Sequence, residues 1–149
     1  MGGPQHAGAT FLADVFGPST TCPVFICSLI NGDAREGGAG AGERFVTTRV
    51  PEYISGFARK WDTERRGVFW CVGTLTRDAR RRAKETLAEI NCLHCDIDFK
   101  DLKEDPETVR RVLAGLRYPP SMVIASGHGL HLLWLFKEAL AATPEIIAD

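Results

Sequence analysis

Apolar and polar positions change period several times along this chain, and each change marks an expected element. Residues 1–10 carry no pattern and read as frayed. Thr10 to Gly17 suits a short helix, and Pro23 to Ile30 is an apolar run of strand length. The glycine-rich stretch Asn31 to Gly42 predicts a flexible loop, taken as 31–44. It is read as an excursion within one domain, because the pieces on either side are too small to fold alone. Phe45 to Val50 reads as a second strand. Pro51 then suits the first position of a helix, and Ile54, Phe57, Ala58 and Trp61 recur at helical spacing.

Gly67 to Gly73 is β-branched and aromatic, which predicts a core strand. Thr76 is a candidate cap for a helix reaching Ile90, with Ala79, Ala83, Leu87 and Ile90 as its stripe. Cys92 to Asp98 reads as a strand. Asp105 caps a further helix with Pro106 in its first turn, and Val109, Val112, Leu113 and Leu116 form the expected buried stripe. Pro119-Pro120 stops it. Met122 to Ala125 and Leu130 to Phe136 read as two strands joined across Ser126-Gly127-His128-Gly129. From Gly67 onward the order is strand, helix, strand, helix, strand, strand. That predicts an α/β (α+β) fold, a mixed sheet with helices packed on it. Thr143-Pro144-Glu145 is a good helix start, yet the sequence stops about one turn later, below the length at which a helix holds itself. The expectation is a longer protein cut here, with the domain 1–149 incomplete at its C-terminus.

Composition narrows the class. A chain of 149 residues with 44% hydrophobic content suits one globular domain and excludes a disordered one. A net charge of -1 gives no global signal for nucleic acid, so any such signal is local. No apolar run is long enough to span a bilayer, and the N-terminus lacks the pattern of a secretion signal. A cytoplasmic location without membrane partners is expected. The five cysteines are an odd number and read as thiols in a reducing compartment.

Three clusters carry chemistry. Asp96-Ile97-Asp98 puts two carboxylates on one face of a strand, with Cα atoms about 6.5 Å apart. Two such charges repel unless a cation sits between them, and hard oxygen ligands suit Mg²⁺ or Mn²⁺. The same pair equally suits two solvated acids at a strand end. Ser126-Gly127-His128-Gly129 lets the backbone approach a ligand closely and aim amides at an anion. His131, inside an otherwise apolar strand, can donate to a phosphate oxygen. A tight hairpin with a satisfied histidine is the plainer alternative, and His128 is accessory. Arg77, Arg80, Arg81, Arg82 and Lys84 surround the single acid Asp78. On a helix they would wrap a polar face, either simply solvated or holding a nucleic-acid backbone. Arg59-Lys60 and Arg65-Arg66 share that ambiguity. Cys92-Leu93-His94-Cys95 has the spacing of half a zinc site, without a second half among Cys22, Cys27 and Cys71. Buried thiols are the simpler reading.

The order of the first two clusters, an Asp-x-Asp strand, a helix, then Ser126-Gly-His-Gly-Leu-His131-Leu-Leu-Trp, resembles the archaeo-eukaryotic primase superfamily. It is most similar to RepB-like primase–polymerase domains of plasmid and phage replication proteins. Gly67 to Leu75 and the basic stretch after it look similar too. The resemblance covers roughly residues 65 to 137 well and the earlier part loosely. It implies a two-part α/β unit whose catalytic half is like an RNA-recognition-motif sheet. It implies a DNA primase/polymerase, a nucleotidyltransferase acting in the cytoplasm of a bacterial or phage-infected cell. Asp96 and Asp98 would be metal ligands. His131 would contact the incoming nucleotide's phosphates, with Ser126, Gly127, His128 and Gly129 in the phosphate-binding turn and Arg80, Arg81 and Arg82 steering DNA. The implied partners are Mg²⁺ or Mn²⁺, a (d)NTP, a DNA template and primer, and a helicase domain or subunit outside this chain.

The resemblance also implies a third carboxylate downstream of the histidine. Glu138, Glu145 and Asp149 are poorly placed for it, so it is expected in missing sequence, and the chain alone would bind metal weakly and be inactive. Other readings stay open. A glycosyltransferase also uses Asp-x-Asp but leaves the Ser126 to His131 turn unexplained. A rolling-circle nicking enzyme would put His128 and His131 on a metal, but its tyrosine would have to be Tyr53 or Tyr118, both upstream. A non-catalytic zinc or nucleic-acid-binding module would hold zinc at Cys92 and Cys95.

Overall fold

The computed structural model describes residues 7–17, 20–30, 44–62 and 66–148. The elements in chain order are α1 (Ala7–Phe16), β1 (Val24–Ile30), β2 (Arg44–Thr48), α2 (Pro51–Trp61), β3 (Arg66–Leu75), β4 (Leu87–Asp98), α3 (Pro106–Ala114), β5 (Met122–Ala125), β6 (Gly129–Ala141) and α4 (Pro144–Ala148). The fold is α+β. Two compact units form, one of Met1–Asn91 with Glu138–Asp149, the other of Cys92–Lys137. Of the loop expected over residues 31–44, Arg44 begins β2 and the rest lies outside the described residues, as do Arg65, Asp149 and residues 1–6. Residues 7–10, expected to fray, are helical. No helix among the described residues is long and apolar enough to cross a membrane.

In the first unit the strands run in the order β2-β1-β3-β4. β1 pairs antiparallel with both β2 and β3. Its residues Val24, Phe25, Ile26, Cys27 and Ser28 are all buried, as a central strand requires. The α1 side chains Ala9, Leu12, Val15 and Phe16 are buried, and Phe11 and Phe16 meet Trp70 of β3 edge-on at 5.3 and 5.9 Å. Pro51 opens α2 as expected. Ile54 and Ala58 are buried while Phe57 and Trp61 are half-buried.

The expected helix from Thr76 to Ile90 does not form. The chain turns after β3, makes a single 3-10 turn over Lys84–Thr86, and enters β4 at Leu87. Long-range pairing overrides the helical spacing. Thr76 N donates to Thr86 O at 2.9 Å, which closes the neck, and Leu75, Thr74 and Gly73 pair with Leu87, Glu89 and Ile90. The Thr86 hydroxyl accepts from Ala83 N at 3.0 Å, a local bond that favours a turn over a helix. Glu89 adds a further tie. Its carboxylate accepts from the Thr74 hydroxyl (2.9 Å), the Thr21 hydroxyl (3.0 Å), Thr21 N (3.3 Å) and Cys22 N (3.3 Å). Burial pushes this carboxyl up, and the hydrogen bonds from Thr74, Thr21 and Cys22 outweigh that and hold it below its ordinary value.

The second unit has the strand order β4-β6-β5. β5 and β6 form the expected hairpin, with Ala125 opposite Leu130 and Ile124 opposite His131. Leu130 and Leu132, on one face of β6, are 1% exposed. Each such burial contributes about 1.5–3 kcal/mol, and a one-residue slip would exchange faces along β6. That pins His131, between Leu130 and Leu132, to its own face. Asp105 caps α3 as expected, its Oδ1 accepting from Glu107 N and Thr108 N at 3.0 Å each. The expected buried stripe of α3 is not buried. Val109 and Leu113 are half-buried, whereas Val112 and Leu116 are 60% and 42% exposed. Thr108 and the i, i+4 line through Val109 and Leu113 are turned partly away from water.

Candidate functional site

The site lies within Cys92–Lys137. Side chains on β4 alternate, so His94, Asp96 and Asp98 fall on one face, and Leu93, Cys95 and Ile97 on the other. β6 brings His131 to Asp96. Nδ1 of His131 lies 2.5 Å from Asp96 Oδ1, and Nε2 of His94 lies 3.0 Å from the same oxygen. Asp98 has a different partner. Its Oδ2 is 2.7 Å from Lys100 Nζ, and its Oδ1 accepts from Lys100 N at 3.2 Å. The repulsion expected between the two carboxylates is thus relieved separately at each, by imidazoles at Asp96 and by an ammonium at Asp98.

The electrostatics follow these contacts. Burial pushes the Asp96 carboxyl up, but the hydrogen bond from His131 and the charges of His94 and His131 bring it below its ordinary value. The side-chain and backbone bonds from Lys100 lower Asp98 as well. The same ion pair raises Lys100.

A concavity of about 170 Å³ is lined by Asp96, Asp98, Ser126, His128, Gly129 and His131, with Ile97 and Leu130 beside them. Gly127 lies in an adjoining depression with Asp98, Lys100 and His128. The turn is built by specific backbone needs. Gly127 has φ +90°, which side-chain-bearing residues rarely adopt. Ser126 N donates to Gly129 O at 3.0 Å, and Phe99 N donates to His128 O at 2.9 Å. These bonds tie the turn to the end of β4. At Gly129 a Cβ would stand 2.0 Å from the Ile97 carbonyl oxygen, so this glycine serves the close approach of two strands.

Every expected site residue of the Asp-x-Asp and turn clusters therefore reaches one neighbourhood. His94 and Lys100 are additions that sequence reasoning missed as site residues. In the sequence His94 stands out only as part of a zinc half-site, although counting back two positions from Asp96 along the strand finds it. The Cys92–Cys95 pair does not converge, because Cys92 is buried and Cys95 is exposed on the opposite face. No disulfide links any of the five cysteines. Arg77, Arg80, Arg81 and Arg82 lie on the connection between β3 and β4, not on the expected basic helix, and Arg80, Arg81 and Arg82 are open to solvent there.

No family model, curated protein or solved structure matches the chain.

Proposed function

We propose that this chain carries the catalytic residues of a metal-dependent primase–polymerase, a nucleotidyltransferase joining a 3′-hydroxyl to the α-phosphate of a (d)NTP in plasmid or phage DNA replication. One observation supports the reading above the others: Asp96, Asp98, His131 and the residues of the Ser126–Gly129 turn surround a single concavity. The donors fit the cation such a reaction uses, since two carboxylates on one strand face suit Mg²⁺ or Mn²⁺. A divalent cation held there would stabilise triphosphate charge and lower the pKa of the primer hydroxyl.

The chain's own groups supply position. Asp96 and Asp98 would hold the cation, which Asp98 would take in place of Lys100. His131 uses Nδ1 toward Asp96, which leaves Nε2 as the ring atom for a phosphate oxygen. A carboxylate on one imidazole nitrogen fixes ring orientation, a common device around reacting centres. Lys100 would then leave a positive charge beside the adjoining depression. Gly127 leaves the turn without a side chain and Gly129 lets β6 close on β4, so that binding becomes orientation. Arg80, Arg81 and Arg82 bind the primer or template backbone through charge.

The test is incorporation of labelled nucleotide on a primed template with Mn²⁺ or Mg²⁺. His131→Ala is expected to lower the rate about 100- to 1000-fold, the usual loss for one preorganised charge-stabilising donor. Asp96→Ala is expected to reach background. Undiminished incorporation by either variant of an active protein contradicts the proposal.

A further inference from the structure

We infer that His94, Asp96 and His131 form a three-donor site for a borderline transition-metal dication, Mn²⁺, Co²⁺ or Zn²⁺, bound through two imidazole nitrogens and one carboxylate oxygen. The inference concerns binding of the metal alone and stands apart from the nucleotidyl-transfer reading.

Geometry carries it. The three donor atoms all lie within 4.8 Å of one another. Metal–nitrogen and metal–oxygen bonds of about 2.1 Å at tetrahedral or octahedral angles set donors about 3.0–3.4 Å apart. His94 Nε2 already stands 3.0 Å from Asp96 Oδ1, and His131 Nδ1 at 2.5 Å needs only to retreat by part of an ångström. Two donors come from alternate positions of β4 and the third from β6, so strand backbone holds all three. Sites on strands are more precise than sites on loops.

Chemistry selects the class of ion. Mg²⁺ and Ca²⁺ prefer sites made of oxygen, while imidazole nitrogen favours first-row transition metals. Two nitrogens to one oxygen shift the preference that Asp96 and Asp98 alone would give. Asp98 is not one of the three donors and is paired with Lys100. The side chains of His94, Asp96 and His131 are 38%, 56% and 44% exposed, so an ion can enter from water and keep open positions for water or a phosphate oxygen. Metal binding would exchange the His131 Nδ1–Asp96 hydrogen bond for coordination at Nδ1 and leave Nε2 facing a phosphate oxygen.

The experiment is a Co²⁺ titration of the full chain without nucleotide or DNA, read by visible absorption. It is paired with pulsed electron-spin resonance of bound Mn²⁺ to count nitrogen ligands. The wild type is expected to bind Co²⁺ without a thiolate charge-transfer band, to resist displacement by excess Mg²⁺, and to show two coupled imidazole nitrogens. His94→Ala and His94→Gln should each weaken Co²⁺ about tenfold or more, at least the loss seen for groups supporting a metal site from outside, and leave one coupled nitrogen. Cys95→Ser should bind as the wild type does. Unchanged affinity in both His94 variants, a nitrogen-free Mn²⁺ signal, or loss of Co²⁺ in Cys95→Ser overturns the inference. Co²⁺ binding with this pattern but nucleotide incorporation undiminished by Asp96→Ala would instead count against the polymerase reading alone.

Discussion

Replacing Gly129 by alanine tests the strand approach on which the site is built. The new methyl carbon would lie 2.0 Å from the Ile97 carbonyl oxygen, 3.0 Å from its carbon and 3.1 Å from Asp98 Cα. An ordinary carbon–oxygen contact is about 3.3 Å or longer. All three obstacles are backbone, so no side chain can rotate out of the way. Overpacking costs about 1–3 kcal/mol, and the upper end applies here. Alanine also restricts the unfolded chain, which offsets about 0.4–1 kcal/mol. The net loss is about 2–3 kcal/mol, or about 6–9 °C in Tm for a chain of this size. The assay is thermal and urea unfolding followed by circular dichroism. Gly127→Ala is the comparison, since its Cβ meets nothing within 4 Å and only its φ of +90° resists. That variant should lose about 1–2 kcal/mol and keep His131 beside Asp96. If Gly129→Ala melts with the wild type, β6 does not approach β4 at Ile97 and the site as described is wrong.

Other outcomes follow from particular bonds. Glu89→Gln should cost about 1–3 kcal/mol at neutral pH, because a charged acceptor of four hydrogen bonds is lost. Its depressed carboxyl contributes stability that is complete above its ordinary value of 4.5 and is lost as pH falls through the lower native value. Melts across acid pH should therefore fall less steeply in Glu89→Gln than in the wild type. Asp105→Ala removes the cap of α3 and should lower the urea midpoint. Replacing Arg80, Arg81 and Arg82 together by serine should flatten the salt dependence of DNA binding, by about 0.7–0.9 for each phosphate no longer neutralised. An unchanged slope would leave those arginines as a solvated turn.

What the sequence made legible was local chemistry. Proline at Pro51, the Asp105–Pro106 cap and the glycines flanking His128 each fix backbone within a few residues, and the elements they predict formed. The Asp96/Asp98 face followed from strand alternation alone. Residues 76–90 failed because Ala79, Ala83, Leu87 and Ile90 match a helical period by chance. The deciding forces were the pairing with β3 and the Glu89 bonds to Thr21, Cys22 and Thr74, none of which local spacing displays. His94 was hidden for a similar reason. Its proximity to Asp96 is a strand rule, but its significance depends on His131 arriving from a segment 35 positions beyond Asp96. The α3 stripe misled because amphipathic spacing says which face is apolar, not how much of it is covered.

The central claim is that the acids at the end of β4 and the imidazole of β6 bind one metal–triphosphate together. The most direct measurement is amide NMR of the isotope-labelled chain as Mn²⁺ and a non-hydrolysable dNTP are added, with paramagnetic broadening as the signal. The account predicts broadening centred on residues 94–100 and 126–131, abolished in Asp96→Ala. Broadening centred away from both segments, or one unaffected by Asp96→Ala, would contradict it.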